Sequence, residues 1–228
     1  KYAAIIAIIL SSSFGLYTWM NNPESQMVAV TVRAGSKAEM ALPDGTFVHL
    51  NAATNLEYDV NNSKQRLVKL SGEAFFDVAK NPDCPFKVII NDLQIEVVGT
   101  SFNVKTYKKD IVETSLLSGR IRISGGSLPH EYTLSPGQKA TYSAMDRTLR
   151  ISKADAHVEA GWRDNYLIFE STPLIDVIAQ IERWYGVEIR LHHKQIAQDL
   201  LSGSFRNESI QNVIRSLSIQ YGFKYEIH

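Results

Sequence analysis

The residues of this 228-residue chain with the chemistry to catalyse or to hold a metal are few: six histidines, one cysteine and some carboxylates. The histidines are His49, His130, His157, His192, His193 and His228. No two of them stand at the i, i+4 spacing that places paired ligands on one helix face. His192 and His193 are adjacent, so on a strand they point to opposite faces. Cys84 sits in a turn between Asp83 and Pro85, and no CxxC pair exists. A nucleophilic thiol would need a histidine and an orienting group beside it. Gly99-Thr100-Ser101 is not a nucleophile elbow, because no helix follows. Gly125-Gly126 lacks the helix that a phosphate cradle uses. Glu73 and Asp77 could pair as carboxylates, but they read more simply as the ends of one strand. Trp162 and Trp184 could stack a sugar, whereas Trp184 lies beside an apolar stripe and reads as core or interface. The sequence therefore predicts no catalytic residue, no cofactor and no metal site, and no enzyme.

Bulk composition points the same way. Apolar content of 44% and charge of 21% are those of folded protein. The 24 basic and 24 acidic residues cancel, leaving no electrostatic footprint for direct nucleic-acid binding. A single cysteine permits no intrachain disulfide. The start at Lys1 rather than Met leads us to expect a fragment or a processed form, with further chain upstream.

The elements fall into three parts. Tyr2–Met20 carries no charge. As a helix it spans about 28 Å, close to the roughly 30 Å hydrocarbon core of a bilayer. Tyr17 and Trp19 stand at one end, where aromatic rings favour the interface, and Asn21-Asn22-Pro23 stops the helix. A cleaved signal peptide is the competing reading, with Ser11–Ser13 as a small-residue region. The apolar run resumes at Phe14, Leu16 and Trp19, so a retained single-pass anchor is expected over residues 1–20, with a linker over 21–27.

From Val28 to about residue 153 the apolar period is two, as in strands. Val28, Val30 and Val32 alternate with polar or small residues, as do Phe86, Val88 and Ile90; Ile95 and Val97; Ile121 and Ile123; Leu149 and Ile151. Pro43-Asp44-Gly45 reads as a tight hairpin, and Gly125-Gly126 and Pro136-Gly137 as further turns. Without crossover helices a doubly wound sheet is excluded. The expectation is an all-β body over 28–153, a sandwich or a solenoid-like stack, then a linker or short helix over 154–164.

Residues 169–192 and 205–228 then say the same thing twice, 36 residues apart. Phe169 falls on Phe205, Val177 on Val213, Tyr185 on Tyr221 and Gly186 on Gly222. Thr172-Pro173 suits a helix entry, Leu174, Val177, Ile178, Ile181 and Tyr185 make one apolar stripe, and Gly186 suits a left-handed cap. With strands at Tyr166–Phe169, Val187–Leu191, around Phe205 and at Phe223–Ile227, residues 165–228 are predicted to form a βαββαβ module. The fold class is thus mainly β with a C-terminal α+β domain, preceded by a transmembrane helix.

Six blocks make a family visible. They are Leu42-Pro43-Asp44-Gly45-Thr46 with Leu50-Asn51; Leu70-Ser71-Gly72-Glu73-Ala74-Phe75-Phe76-Asp77-Val78; Pro85-Phe86-Lys87-Val88; Val98-Gly99-Thr100-Ser101-Phe102-Asn103-Val104; Leu117-Ser118-Gly119-Arg120-Ile121; and Leu134-Ser135-Pro136-Gly137-Gln138. In this order, over about 100 residues, they resemble the periplasmic part of FecR-type anti-sigma regulators of the Bacteroidota kind. The duplicated module is similar to the small docking domain shared by secretins and outer-membrane transporters. The helical sigma-binding segment that such proteins carry before the span is not in the present sequence.

The resemblance implies a transmembrane sigma regulator in the inner membrane, single-pass, with the bulk of the chain in the periplasm. Its partners would be the periplasmic signalling domain of an outer-membrane TonB-dependent transporter and a cytoplasmic ECF sigma factor. Strand edges invite strand addition, which makes Glu188, Ile189, Arg190, Lys224, Tyr225 and Glu226 the candidate partner-binding residues. The alternative from a different class is a membrane-tethered periplasmic scaffold or glycan-binding module with no signalling role.

Overall fold

The structure, a computed structural model, describes residues 11–16, 26–60, 66–192 and 194–226. Of the expected anchor, residues 11–16 are helical and exposed, and the rest of Tyr2–Met20 lies outside the described residues. Among the described residues no helix is long and apolar enough to cross a membrane.

Among the described residues the body has fourteen strands in two sheets of seven. One sheet has the order β1 (Met27–Val32), β4 (Thr54–Asp59), β5 (Arg66–Ser71), β7 (Phe86–Ile90), β8 (Leu93–Val97), β11 (Ile121–Gly125), β12 (Tyr132–Leu134). The other runs β14 (Thr148–Lys153), β13 (Gln138–Ser143), β10 (Ile111–Ser118), β9 (Ser101–Lys105), β6 (Glu73–Asp77), β3 (Phe47–Leu50), β2 (Ala38–Ala41). Leu56, Val68, Val88 and Ile95 from the first meet Val48, Phe76, Phe102 and Val104 from the second in one buried core. The body is therefore a sandwich. The period-two pattern sets which side faces in: Phe86, Val88 and Ile90 are all buried on β7, with Lys87 between them on the outer face.

The turns follow their chemistry. Asp44 caps the β2–β3 hairpin, accepting from the Thr46 amide (3.0 Å) and hydroxyl (2.8 Å), while Gly45 takes a φ of +83° open to few other residues. Arg66, buried at the start of β5, donates to the carbonyls of Cys84 (2.6 Å), Ala79 (2.6 Å) and Asn81 (3.1 Å) and to Asp44 (3.2 Å). One guanidinium thereby pins the loop that holds Cys84.

Strand β6 departs from simple alternation. Glu73, Ala74, Phe75 and Phe76 are all buried, so both of its faces are covered. The inner face meets the sandwich core. The outer face is covered by residues 154–164, which form the short helix α1 (Ala156–Ala160) and a 3-10 turn (Gly161–Asp164). Ala160 and Trp162 are buried there against Phe75.

The C-terminal region follows as β15 (Tyr166–Pro173), α2 (Leu174–Tyr185), a 3-10 turn (Lys194–Gln198), β16 (Leu200–Arg206) and α3 (Ile210–Tyr221). The two long helices have the same length and stand 36 residues apart, each closed by a glycine at φ +68°. Strands β15 and β16 pair antiparallel, and Ile168 faces Ser204, its own repeat equivalent. A pseudo-twofold axis therefore passes through that pair. Val177 and Val213 are both fully buried in the shared core. Tyr185 and Tyr221 lie at its margin, partly buried.

Among the described residues, which leave out Ile227, the outer strands of the expected βαββαβ are not formed. Val187–Leu191 joins no sheet, nor do residues 223–226 among the described residues. Ile189, Leu191 and Phe223 still pack on the core. The Ile189 amide donates instead to the Glu182 carboxylate (2.7 Å), so a helix side chain takes the donor that a strand ladder would use.

Candidate interaction site and the junction behind it

The six candidate partner-binding residues lie in these two segments. Glu188 and Arg190 are exposed and pair with each other (2.8 Å). Their mutual hydrogen bond, with its charge, lowers the Glu188 carboxyl and raises Arg190. Ile189 between them is half-buried, while Lys224, Tyr225 and Glu226 are exposed. The structure thus places one triplet after each helix cap, with the charges outward. Ile189 is the residue that turns in.

Beside α2 lies a cleft of about 280 Å³ lined by Leu167, Trp184, Tyr185, Phe205, Asn165 and Asn207, with Glu208 at the same wall. The Tyr185 hydroxyl donates to the Glu208 carbonyl (2.8 Å). Trp184 is shared with the junction: the Lys37 ammonium sits 3.6 Å from its ring centroid.

That junction joins the C-terminal region to the sandwich, and sequence reading missed it. Glu73 is buried at its centre and accepts from the amides of Asn51 (2.7 Å) and Asn103 (2.9 Å). Asn103 in turn accepts from the Trp162 indole (3.1 Å). A buried carboxylate needs such partners to be tolerated. Lys37 donates to the Trp162 carbonyl (2.6 Å) and the Asn165 side chain (3.0 Å). Burial lowers its ammonium to about 8, against an opposing pull from Glu73. Arg183 stacks over the Tyr107 ring at 4.1 Å. Burial, then the Glu73 charge, pushes the Tyr107 phenol above its ordinary range. The phenol donates to the Ala52 carbonyl.

Glu73 and Asp77 do not form a carboxylate pair: they sit at opposite ends of β6, and Asp77 accepts from the Ser101 hydroxyl (2.7 Å). The readable signal for the junction was the run Ala74-Phe75-Phe76 after a glutamate, too apolar for a strand with one wet face. Nothing local signals that residue 37 meets residue 162. Among the described residues no group of three or more histidine, cysteine or acidic side chains is placed to hold a metal ion.

Comparison with known proteins decides the identity. The FecR protein family profile matches residues 28–122, and the FecR C-terminal profile matches residues 166–228. Two crystal structures of a candidate anti-sigma factor from Parabacteroides distasonis ATCC 8503 superpose with a TM-score of 0.80 at 30% identity. They cover 88% and 89% of this chain, and the match spans 95% of that protein in each.

The chain belongs to the FecR family.

No curated protein matches it. FecR proteins form a regulatory, non-enzymatic family of anti-sigma factors, which implies a sigma factor as partner. The two profiles fall on the sandwich and on the duplicated region, and leave the junction residue Trp162 between them.

Proposed function

We propose that this FecR protein relays a signal from an outer-membrane TonB-dependent transporter to a cytoplasmic ECF sigma factor. Tyr2–Met20 anchors it once in the inner membrane, and the sandwich and the duplicated module lie in the periplasm. The observation that carries this reading is the module itself. A FecR sandwich is followed by a 36-residue duplication whose two charged triplets face outward and are committed to no sheet. A relay needs only that the partner bind two states of the regulator with different affinity.

Glu188, Ile189, Arg190, Lys224, Tyr225 and Glu226 are the contact residues in this reading. Because Glu182 already holds the Ile189 amide, side-chain charge rather than a backbone ladder is the main recognition element. Calorimetric titration of the transporter's signalling domain into the chain tests it. Binding in the micromolar range is expected, weakened at least tenfold by Arg190→Glu. Absence of heat and of co-elution at tens of micromolar, with both partners folded, rejects the relay. Carbonate extraction of membranes tests the anchor: the intact chain should stay in the pellet.

A further inference from the structure

We infer that α2 works as a lever between the docking module and the first strand of the sandwich, so that a change at the module is delivered to β1. The inference rests on the relay proposed above.

A lever needs a grip and a support, and α2 has both. The grip is at its C-terminal end. The Gly35 amide, in the turn between β1 and β2, donates to the Arg183 carbonyl (2.8 Å), one of the last carbonyls of the helix, which have no partner within it. The two segments meet there backbone to backbone. A Cβ on Gly35 would stand 3.1 Å from the Tyr185 carbonyl oxygen, and one on Gly186 would stand 3.0 Å from that of Ala34. Both glycines have positive φ, +78° and +68°. No side chain lies between the two backbones to absorb a displacement. Two residues on, Lys37 ties the same turn to Trp162, Asn165 and the ring of Trp184.

The support is the loop between β9 and β10. Asp176, in the first turn of α2, pairs with Lys108 (2.6 Å), and Arg183 rests on Tyr107. This loop is fixed. Thr106 exchanges bonds with Gly72 (amide to carbonyl and amide to hydroxyl, both 2.7 Å), and Tyr107 reaches Ala52. Its flanking strands are interior to their sheet.

The gripped element differs. Among the described residues β1 is the edge of its sheet and pairs only with β4, over six residues. An edge strand is held by one ladder where an interior strand is held by two, so it opens at lower cost. Among the described residues β2, on the other side of the gripped turn, is the edge of the second sheet and pairs only with β3, over four residues. A shift of α2 against a fixed support is therefore taken up at both edge strands, and of the two β1 leads directly into the N-terminal segment.

Hydrogen exchange of the full chain, read by mass spectrometry with no partner present, tests the coupling independently of the relay. In Lys37→Met, peptides covering Met27–Val32 should exchange at least tenfold faster, while those covering Phe86–Ile90 and Ser101–Lys105 keep their protection. Gly186→Ala, which leaves Lys37 in place and wedges a methyl against the Ala34 carbonyl, should do the same. If either variant also loosens the helices, β1 must still lose protection with them, alone or together with the other edge strand β2. Unchanged β1 exchange in both variants overturns the lever, and so does equal loss across the whole sandwich. Loss of transporter binding with the β1 response intact would reject the relay and leave the lever standing.

Discussion

Tyr185 and Tyr221 are repeat equivalents, yet their hydroxyls differ. Tyr185 donates to the Glu208 carbonyl, whereas the Tyr221 hydroxyl is buried with no partner among the described residues. Removing an unsatisfied polar group costs little, and removing a satisfied one costs about 1 kcal/mol. Tyr185→Phe should therefore destabilise by about 1 kcal/mol in urea unfolding, and Tyr221→Phe should be neutral or stabilising. Equal losses would contradict the assignment. Lys37 gives a pH signature. It titrates at about 8 in the folded chain against 10.5 as its ordinary value. Below pH 8 both states are protonated and the burial cost is present in full. Between about 8 and 10.5 the unfolded chain binds more protons, so this lysine makes stability rise with pH. Tyr107 and Tyr185, whose phenols burial raises, act in the opposite sense above about pH 10. Between pH 7 and 9.5 the wild-type chain should therefore gain stability relative to Lys37→Met. A constant difference would show that Lys37 is not desolvated.

At the scale of elements, the helices were the most legible part of the sequence. The stripe Leu174, Val177, Ile178, Ile181 is buried as its spacing requires, and Gly186 and Gly222 cap both helices in the left-handed conformation. Val177→Asp puts an unpaired charge into that core and should destabilise by more than about 3 kcal/mol. An unchanged melting temperature would place the stripe outside the core. The segment Val187–Leu191 departs from the expected strand for a physical reason. Alternation reports which side chains face inward, and Ile189 and Leu191 do pack on the core. It does not report whether a neighbouring strand supplies the ladder, and here the Glu182 carboxylate takes the Ile189 amide instead. Strand β6 shows the converse. Its run of four buried residues was visible as composition, but the cover on its outer face comes from α1 and Trp162, far along the chain.

The whole molecule is a FecR sandwich and a duplicated module joined by a polar core around Glu73. The two ends of that arrangement were written locally, in turn residues, alternation and repeat. The join was not, because Lys37, Glu73, Asn103, Tyr107, Trp162 and Arg183 are brought together only by the finished sheets. The repeat itself carries one more consequence. An internal twofold usually means two like surfaces and hence two like ligands. Here the equivalent triplets are Glu188-Ile189-Arg190 and Lys224-Tyr225-Glu226, so every charge changes sign between the copies. A ligand patch that matches one triplet meets like charges when placed in the symmetry-equivalent way on the other. Duplication has thus given one recognition surface and its electrostatic inverse, and the chain should take up a single partner domain. Native mass spectrometry of the complex should show a ratio of one to one, and a species with two partner domains per chain would show that the sign reversal does not discriminate.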